Sequence, residues 1–198
     1  MAKLYFSYAS MNAGKSTLLL QASYNYQERG MRTVLLNASL DNRAGSAGKI
    51  GSRIGLESES TAFEEDDNLY EIVKAKLADG NIACVFVDEA NFMSAEQAWQ
   101  LSDVVDDLNI PVMAYGLRTD FQGKLFPGSK ILLSIADEIR EVRTICDCGR
   151  KATMVVRQDG DGNVVKDGAQ IVVGGNESYV SYCRQHWKEA IGYKNTND

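Results

Sequence analysis

An α/β fold built on a parallel sheet, with a small metal-held β-ribbon domain appended, is what this 198-residue sequence predicts. Three observations carry the prediction. A strand, a glycine-containing turn, a helix and a second strand follow one another tightly between Leu4 and Asn37, which implies a right-handed parallel βαβ unit. Ile82-Ala83-Cys84-Val85-Phe86-Val87 is an almost continuous apolar run ending in Asp88-Glu89, the signature of a central parallel strand buried on both faces. Cys146-Asp147-Cys148 and Cys183-Arg184-Gln185-His186 then form two short ligand pairs across a long insert.

Taken in order, Leu4 to Ala9 reads as the first strand and residues 16–30 as a helix with Leu18, Leu19, Ala22 and Tyr26 on one face. Gly30 is its stop. Arg32-Thr33-Val34-Leu35-Leu36-Asn37 is a second strand. Residues 44–55 carry Gly45, Gly48, Gly51 and Gly55 without the G-x-G-x-x-G spacing, so they read as a mobile loop and no dinucleotide site. Residues 64–79 read as a surface helix, and residues 95–108 as another with Trp99, Leu101, Val104, Val105 and Leu108 toward the core. Ile110 to Gly116 is a short buried strand with Pro111 at its start. Ile131 to Ala136 fits helix or strand, and Ile139 to Ile145 fits a strand. The domains expected are 1–144 for the α/β core, 145–190 for the metal domain and 191–198 for a tail.

The composition is that of an ordinary globular chain, 44% hydrophobic and 24% charged. No apolar run approaches the ~18–20 residues of a membrane span, and Met1-Ala2-Lys3 lead into a strand without a signal-type segment, so the cytoplasm is expected. A net charge of −6 without a Lys/Arg cluster argues against a nucleic-acid polymer as partner. It leaves a nucleotide monomer open.

The chemistry starts at Ser10-Met11-Asn12-Ala13-Gly14-Lys15-Ser16-Thr17. Between a strand and a helix, this is a P-loop: backbone N–H groups and the helix N-terminus cradle phosphates, Lys15 adds a charge and Ser16 reaches Mg²⁺. The first glycine of the usual spacing is replaced by Ala9. Asp88-Glu89, delivered to the sheet edge some seventy residues later, reads as a Walker B pair in which Asp88 holds the nucleotide's Mg²⁺. Asp41 and Arg43 follow the second strand at the edge where such sheets bind ligands, either as an active-site pair or as a solvated one.

Cys146, Cys148, Cys183 and His186, the only histidine, supply three thiolates and one imidazole. That set suits a closed, structural zinc site. Between the pairs, Ala152–Arg157 and Ala169–Gly175 flank the turn Asp159-Gly160-Asp161-Gly162-Asn163 and are expected to form a ribbon. The turn starts like an EF-hand but has Val164 and Gln170 where calcium loops need Gly and Glu.

These motifs, with Asp88-Glu89-Ala90-Asn91-Phe92, Tyr115-Gly116-Leu117-Arg118-Thr119-Asp120-Phe121 and Gly174-Gly175-Asn176-Glu177-Ser178-Tyr179, together resemble the type II thymidine kinases, the bacterial branch most closely. The resemblance implies a RecA-like core and a zinc domain whose lasso closes over the nucleoside, and transfer of phosphate from ATP to thymidine to give dTMP. It assigns Ala9, Ser10, Met11, Asn12, Ala13, Gly14, Lys15, Ser16 and Thr17, with Asp41, Arg43, Asp88 and Asn91, to ATP and Mg²⁺, and makes Glu89 the general base. Met11, Phe92, Leu117, Phe121 and Tyr179 would line the thymine pocket, with the backbone of Gln170, Ile171, Val172, Val173 and Gly174 reading the base edge. It further implies a homotetramer and dTTP as feedback inhibitor. Asn91 stands where the family usually has Gln.

Overall fold

The computed structural model describes residues 1–39, 48–171 and 178–193. In chain order the elements are β1 (Leu4–Ala9), α1 (Lys15–Gln27), β2 (Thr33–Ala38), β3 (Lys49–Gly51), β4 (Glu57–Glu59), β5 (Thr61–Phe63), α2 (Leu69–Lys76) and β6 (Cys84–Asp88). They continue with α3 (Ala95–Leu108), β7 (Val112–Leu117), α4 (Pro127–Ile135), β8 (Glu138–Glu141), β9 (Thr144–Ile145), β10 (Lys151–Ala152), β11 (Met154–Gln158), β12 (Val164–Val165), β13 (Ser178–Tyr182) and α5 (Arg184–Ile191). One-turn 3₁₀ segments follow α2 at Leu77–Asp79 and β6 at Ala90–Phe92.

Six strands form the main sheet in the order β5-β2-β6-β7-β1-β8, every neighbouring pair parallel. The expected central strand is there, and its alternation shows why it had to be apolar throughout. Val85 and Val87 pack with Leu69 and Val73 of α2, Leu101 and Val104 of α3 and Leu132 of α4. Cys84 and Phe86 face the other way, onto Leu19 and Leu20 of α1 and Ile50 of β3. Burial pushes the Cys84 thiol up to about 12, so it is an inert core group. Period-2 alternation on β2 sends Val34 and Leu36 to the α2/α3 side and Leu35 to the α1 side.

Helix starts are locally encoded. Ser94 caps α3 through a reciprocal box: its hydroxyl accepts from the Gln97 N–H and the Gln97 carboxamide accepts from the Ser94 N–H, both at 3.1 Å. Asn68 caps α2 by accepting from the Glu71 N–H at 3.0 Å, which starts that helix later than residue 64.

Several expectations are corrected. On α1 the buried face is Lys15, Leu19, Leu20 and Ser23, and Leu18 points out, because Leu19 and Leu20 are the pair that packs on Leu35, Cys84 and Phe86 of the sheet. Trp99 is 52% exposed, since Gln97, Ala98, Leu101, Val104 and Val105 already fill the inner stripe. Described residues of the glycine-rich stretch form the β3–β4 hairpin, and β5 adds a parallel edge strand that has no distinct apolar signature. Of the two readings left open for residues 131–136, the helix holds: α4 ends at Ile135 with Ala136 as its C-cap, and Pro127 stands in its first turn. In the second module β11 pairs with β13 over Met154↔Tyr182 to Gln158↔Ser178, and with the two-residue β12. The ribbon's long partner is therefore 178–182, and the described residues 169–171 are not strand.

Candidate active site and metal centre

The phosphate loop grows directly out of β1. Ala9, buried and in register with Leu117, ends the strand without positive φ, so it needs none of glycine's freedom. The loop turns at Asn12 (φ 61°) and Gly14 (φ 83°), and Gly14 caps α1 with no side-chain hydrogen bond. Left-handed residues in such a loop gather N–H groups into an anion-binding concavity, and a helix start without a side-chain cap turns its first amides toward a ligand. Lys15 is 7% exposed, and its ammonium lies 3.4 Å from the Ser10 carbonyl oxygen.

β6 brings Asp88 to the same edge. Ser16 stands close enough to favour its charged form, and among the described residues its Oδ1 is buried with no partner. Burial, then the neighbouring Glu89 charge, raises the Asp88 carboxyl to about 6, against the opposing pull of Ser16 and Lys15. A buried carboxylate oxygen left without a donor, beside a serine hydroxyl, fits a hard divalent cation. Glu89 is also buried and sits in the left-handed region (φ 49°, ψ 39°), a strained conformation for a non-glycine residue of the kind concentrated at functional sites.

Asn91 is fully buried. Its Oδ1 accepts from the Leu117 N–H at 2.8 Å, and among the described residues its Nδ2 has no partner. The carboxamide oxygen is thereby committed to the end of β7. Gly116 is required beneath it, since a Cβ there would lie 2.8 Å from the Asn91 backbone nitrogen. Phe92 meets Phe126 edge-on at 6.0 Å.

The second module reaches this edge by hydrogen bonds that nothing in the sequence advertises. The Ser181 hydroxyl on β13 donates to the Met11 carbonyl at 2.6 Å, and the Ser10 hydroxyl lies 3.5 Å from the Ala152 carbonyl. Phe121 is 2% exposed, its ring covered by the Arg157 guanidinium at 4.5 Å and its carbonyl accepting from the Trp187 indole N–H at 3.0 Å. Arg157 also donates to the Ala169 carbonyl at 2.9 Å, and Gln170 donates to the buried Asp120 carboxylate at 2.8 Å. Tyr179, half-buried, is the β13 residue in register with Arg157. Asp41, Arg43, Val172, Val173 and Gly174 lie outside the described residues.

The four expected metal ligands converge. Their donor atoms on Cys146, Cys148, Cys183 and His186 lie within 4.8 Å of one another, with the Cys146 sulfur 3.2 Å from His186 Nδ1. Burial disfavours the Cys146 thiolate, but backbone N–H groups of Cys148 and Cys183 and the His186 ring outweigh it and hold the thiol down at about 6. A Cys₃His set of this spread fits tetrahedral zinc.

The family model for thymidine kinase matches residues 2–187. The chain belongs to the thymidine kinase family. Relatives named thymidine kinase include one from Rhizobium meliloti, 69% identical and spanning 96% of this chain and 98% of its own length. One from Agrobacterium fabrum is 66% identical over 96% and 98% of the two chains, and one from Ruegeria pomeroyi 63% identical over 97% and 96%. A solved ATPase domain is a distant likeness, 14% identical with a TM-score of 0.49 over 93% of this chain and 82% of that one, and adds nothing to the site. Among the described residues no helix is long and apolar enough to cross a membrane.

Within this thymidine kinase architecture, the sequence already pointed to a strand–loop–helix at residues 4–27, to Asp88-Glu89 at the end of a central strand and to the grouping of the four Cys and His residues. Sequence reading passed over Ser181, Arg157, Asp120 and Trp187. Asp120 stands inside a motif that had been singled out, whereas a lone serine on a strand carries no pattern at all.

Proposed function

We propose that the protein transfers the γ-phosphate of ATP to the 5′-hydroxyl of thymidine, giving dTMP and ADP in nucleotide salvage for DNA synthesis. The observation that carries this reading is the convergence of Lys15, Ser16, Asp88 and Glu89 at one sheet edge, tied by Ser181 to the ribbon that bears Tyr179.

Phosphoryl transfer needs charge neutralisation, in-line positioning and exclusion of water more than covalent help. The amides of the loop from Ala9 to Thr17 and the Lys15 ammonium bind the phosphates of ATP, with Asp41 and Arg43 beside them. Ser16 and Asp88 would hold Mg²⁺, which supplies positive charge to the phosphate oxygens. Glu89 accepts the 5′-hydroxyl proton as that oxygen attacks phosphorus. Its left-handed backbone fixes the carboxylate's place at the end of β6, and burial next to Asp88 keeps bulk water away. Asn91 serves ATP indirectly, by holding the end of β7 in place.

On the nucleoside side, Met11, Phe92, Leu117, Phe121 and Tyr179 flank the thymine ring. The backbone of Gln170, Ile171, Val172, Val173 and Gly174 reads its edge. Residues 145–190 act as the zinc-held lasso domain on a 1–144 core with a 191–198 tail. Zinc on Cys146, Cys148, Cys183 and His186 has a structural role. The reading extends to a cytoplasmic homotetramer restrained by dTTP.

The test is a panel of the four deoxynucleosides with ATP and Mg²⁺, following ADP release. Thymidine should stimulate release most, with dTMP formed one for one. Nucleoside-independent hydrolysis stimulated by DNA would overturn the kinase reading in favour of an ATPase.

A further inference from the structure

β2 ends beside the candidate cation site with a residue whose chemistry the core does not explain. Asn37 is 3% exposed in a strand otherwise made of Thr, Val, Leu and Ala, and it pairs in register with Asp88 on β6. Alternation sets it on the Leu35 side of the sheet, the side covered by α1, whose first turn carries Lys15 and Ser16. Among the described residues its Nδ2 has only a long 3.4 Å contact to the Lys49 carbonyl, and its Oδ1 has no partner. The Asp88 Oδ1 is likewise buried and without a partner among the described residues.

Two buried acceptors on adjacent strands cannot satisfy one another, and leaving both unpaired costs stability that a leucine in this strand would not. What such a pair can share is a water whose two hydrogens point outward, and Mg²⁺ characteristically keeps several of its waters when bound. We propose that Asn37 is a positioning residue for the divalent cation of the reaction, its carboxamide oxygen accepting from cation-bound water alongside Asp88. The inference rests on the cation role proposed above for Ser16 and Asp88. It explains why a polar side chain is retained where packing favours an apolar one: the unpaired oxygen is a cost of the metal-free protein that the loaded site removes.

The experiment measures Mn²⁺ affinity in the presence of ADP from the electron paramagnetic resonance signal of free Mn²⁺, together with the melting temperature of the metal-free protein. Asn37→Leu keeps the shape and removes both polar groups. Its Mn²⁺ affinity should fall about tenfold or more, while the metal-free protein melts higher by about 2–4 °C. Asn37→Asp keeps the oxygen and should bind Mn²⁺ at least as well as the parent. An Asn37→Leu protein with unchanged Mn²⁺ affinity would overturn the proposal. So would one that fails to fold or melts lower, because the carboxamide would then serve the strand itself. Asp88→Asn separates the layers: if it too leaves Mn²⁺ binding intact, the cation site itself is wrong; if it alone abolishes binding, only the role of Asn37 fails.

Discussion

Glu89 and Asp88 are adjacent in the chain, yet the fold gives them different surroundings. Asp88 is the last residue of β6, with Ser16 favouring its charged form, whereas Glu89 is turned into the left-handed region and caps the 3₁₀ segment. Glu89→Gln should therefore lower kcat by on the order of 10²–10⁴ with ATP binding retained, checked by steady-state kinetics beside nucleotide titration. Near-parent turnover would remove Glu89 as base. Gly116 provides a test of packing at the same scale. In Gly116→Ala the new methyl would meet the Asn91 backbone nitrogen at 2.8 Å and its Oδ1 at 3.0 Å, the latter held by the Leu117 N–H. An overpacking cost of about 1–3 kcal/mol is expected, readable as a melting temperature lower by several degrees. Ala9 was a departure on paper and is an ordinary strand residue in the fold, because the loop takes its positive-φ turns later, at Asn12 and Gly14.

At the level of elements, long periodic segments were legible and short ones were not. α3 matches its expected range because its apolar stripe and its capping box agree. β6 was legible because burial on both faces leaves an unbroken apolar run. The three-residue strands β3, β4 and β5 carry too few side chains for a period to show, and β13, not the expected 169–175, is the long partner of β11. It is β13 that carries the Ser181 hydroxyl to the Met11 carbonyl. Ser181→Ala removes one short, partly buried hydrogen bond between the ribbon and the phosphate loop. Its kcat/KM for thymidine should drop by up to about tenfold, the equivalent of roughly 0.5–1.5 kcal/mol, and Ser181→Thr should recover part of it. Unchanged kinetics in the alanine variant would mean that the two elements hold their places without this bond.

In the whole molecule, the Cys₃His cluster is linked through α5 to Phe121, which is proposed above for the thymine pocket. His186 precedes Trp187 on α5, Trp187 holds the Phe121 carbonyl, and Arg157 of the same module lies on the Phe121 ring. Cys183→Ser, which removes a ligand and alters the cap of α5, should lose zinc by elemental analysis and lower the melting temperature. It should raise KM for thymidine more than KM for ATP. A zinc-replete, fully active variant would disprove the structural role.

The sequence by itself determined the α/β class, the glycine-bearing loop between β1 and α1, the Asp88-Glu89 pair at the end of β6 and the Cys/His set that could hold a metal. Each of these is written in neighbouring residues, as an apolar period, a glycine at a turn or a ligand spacing. Only the tertiary structure decided that Asn37 stands beside Asp88, that Ser181 reaches Met11 across 170 positions, and that Arg157 covers Phe121. Those contacts join residues far apart in the chain. They depend on the order in which the strands pair and on which face each side chain takes, and no local pattern encodes either.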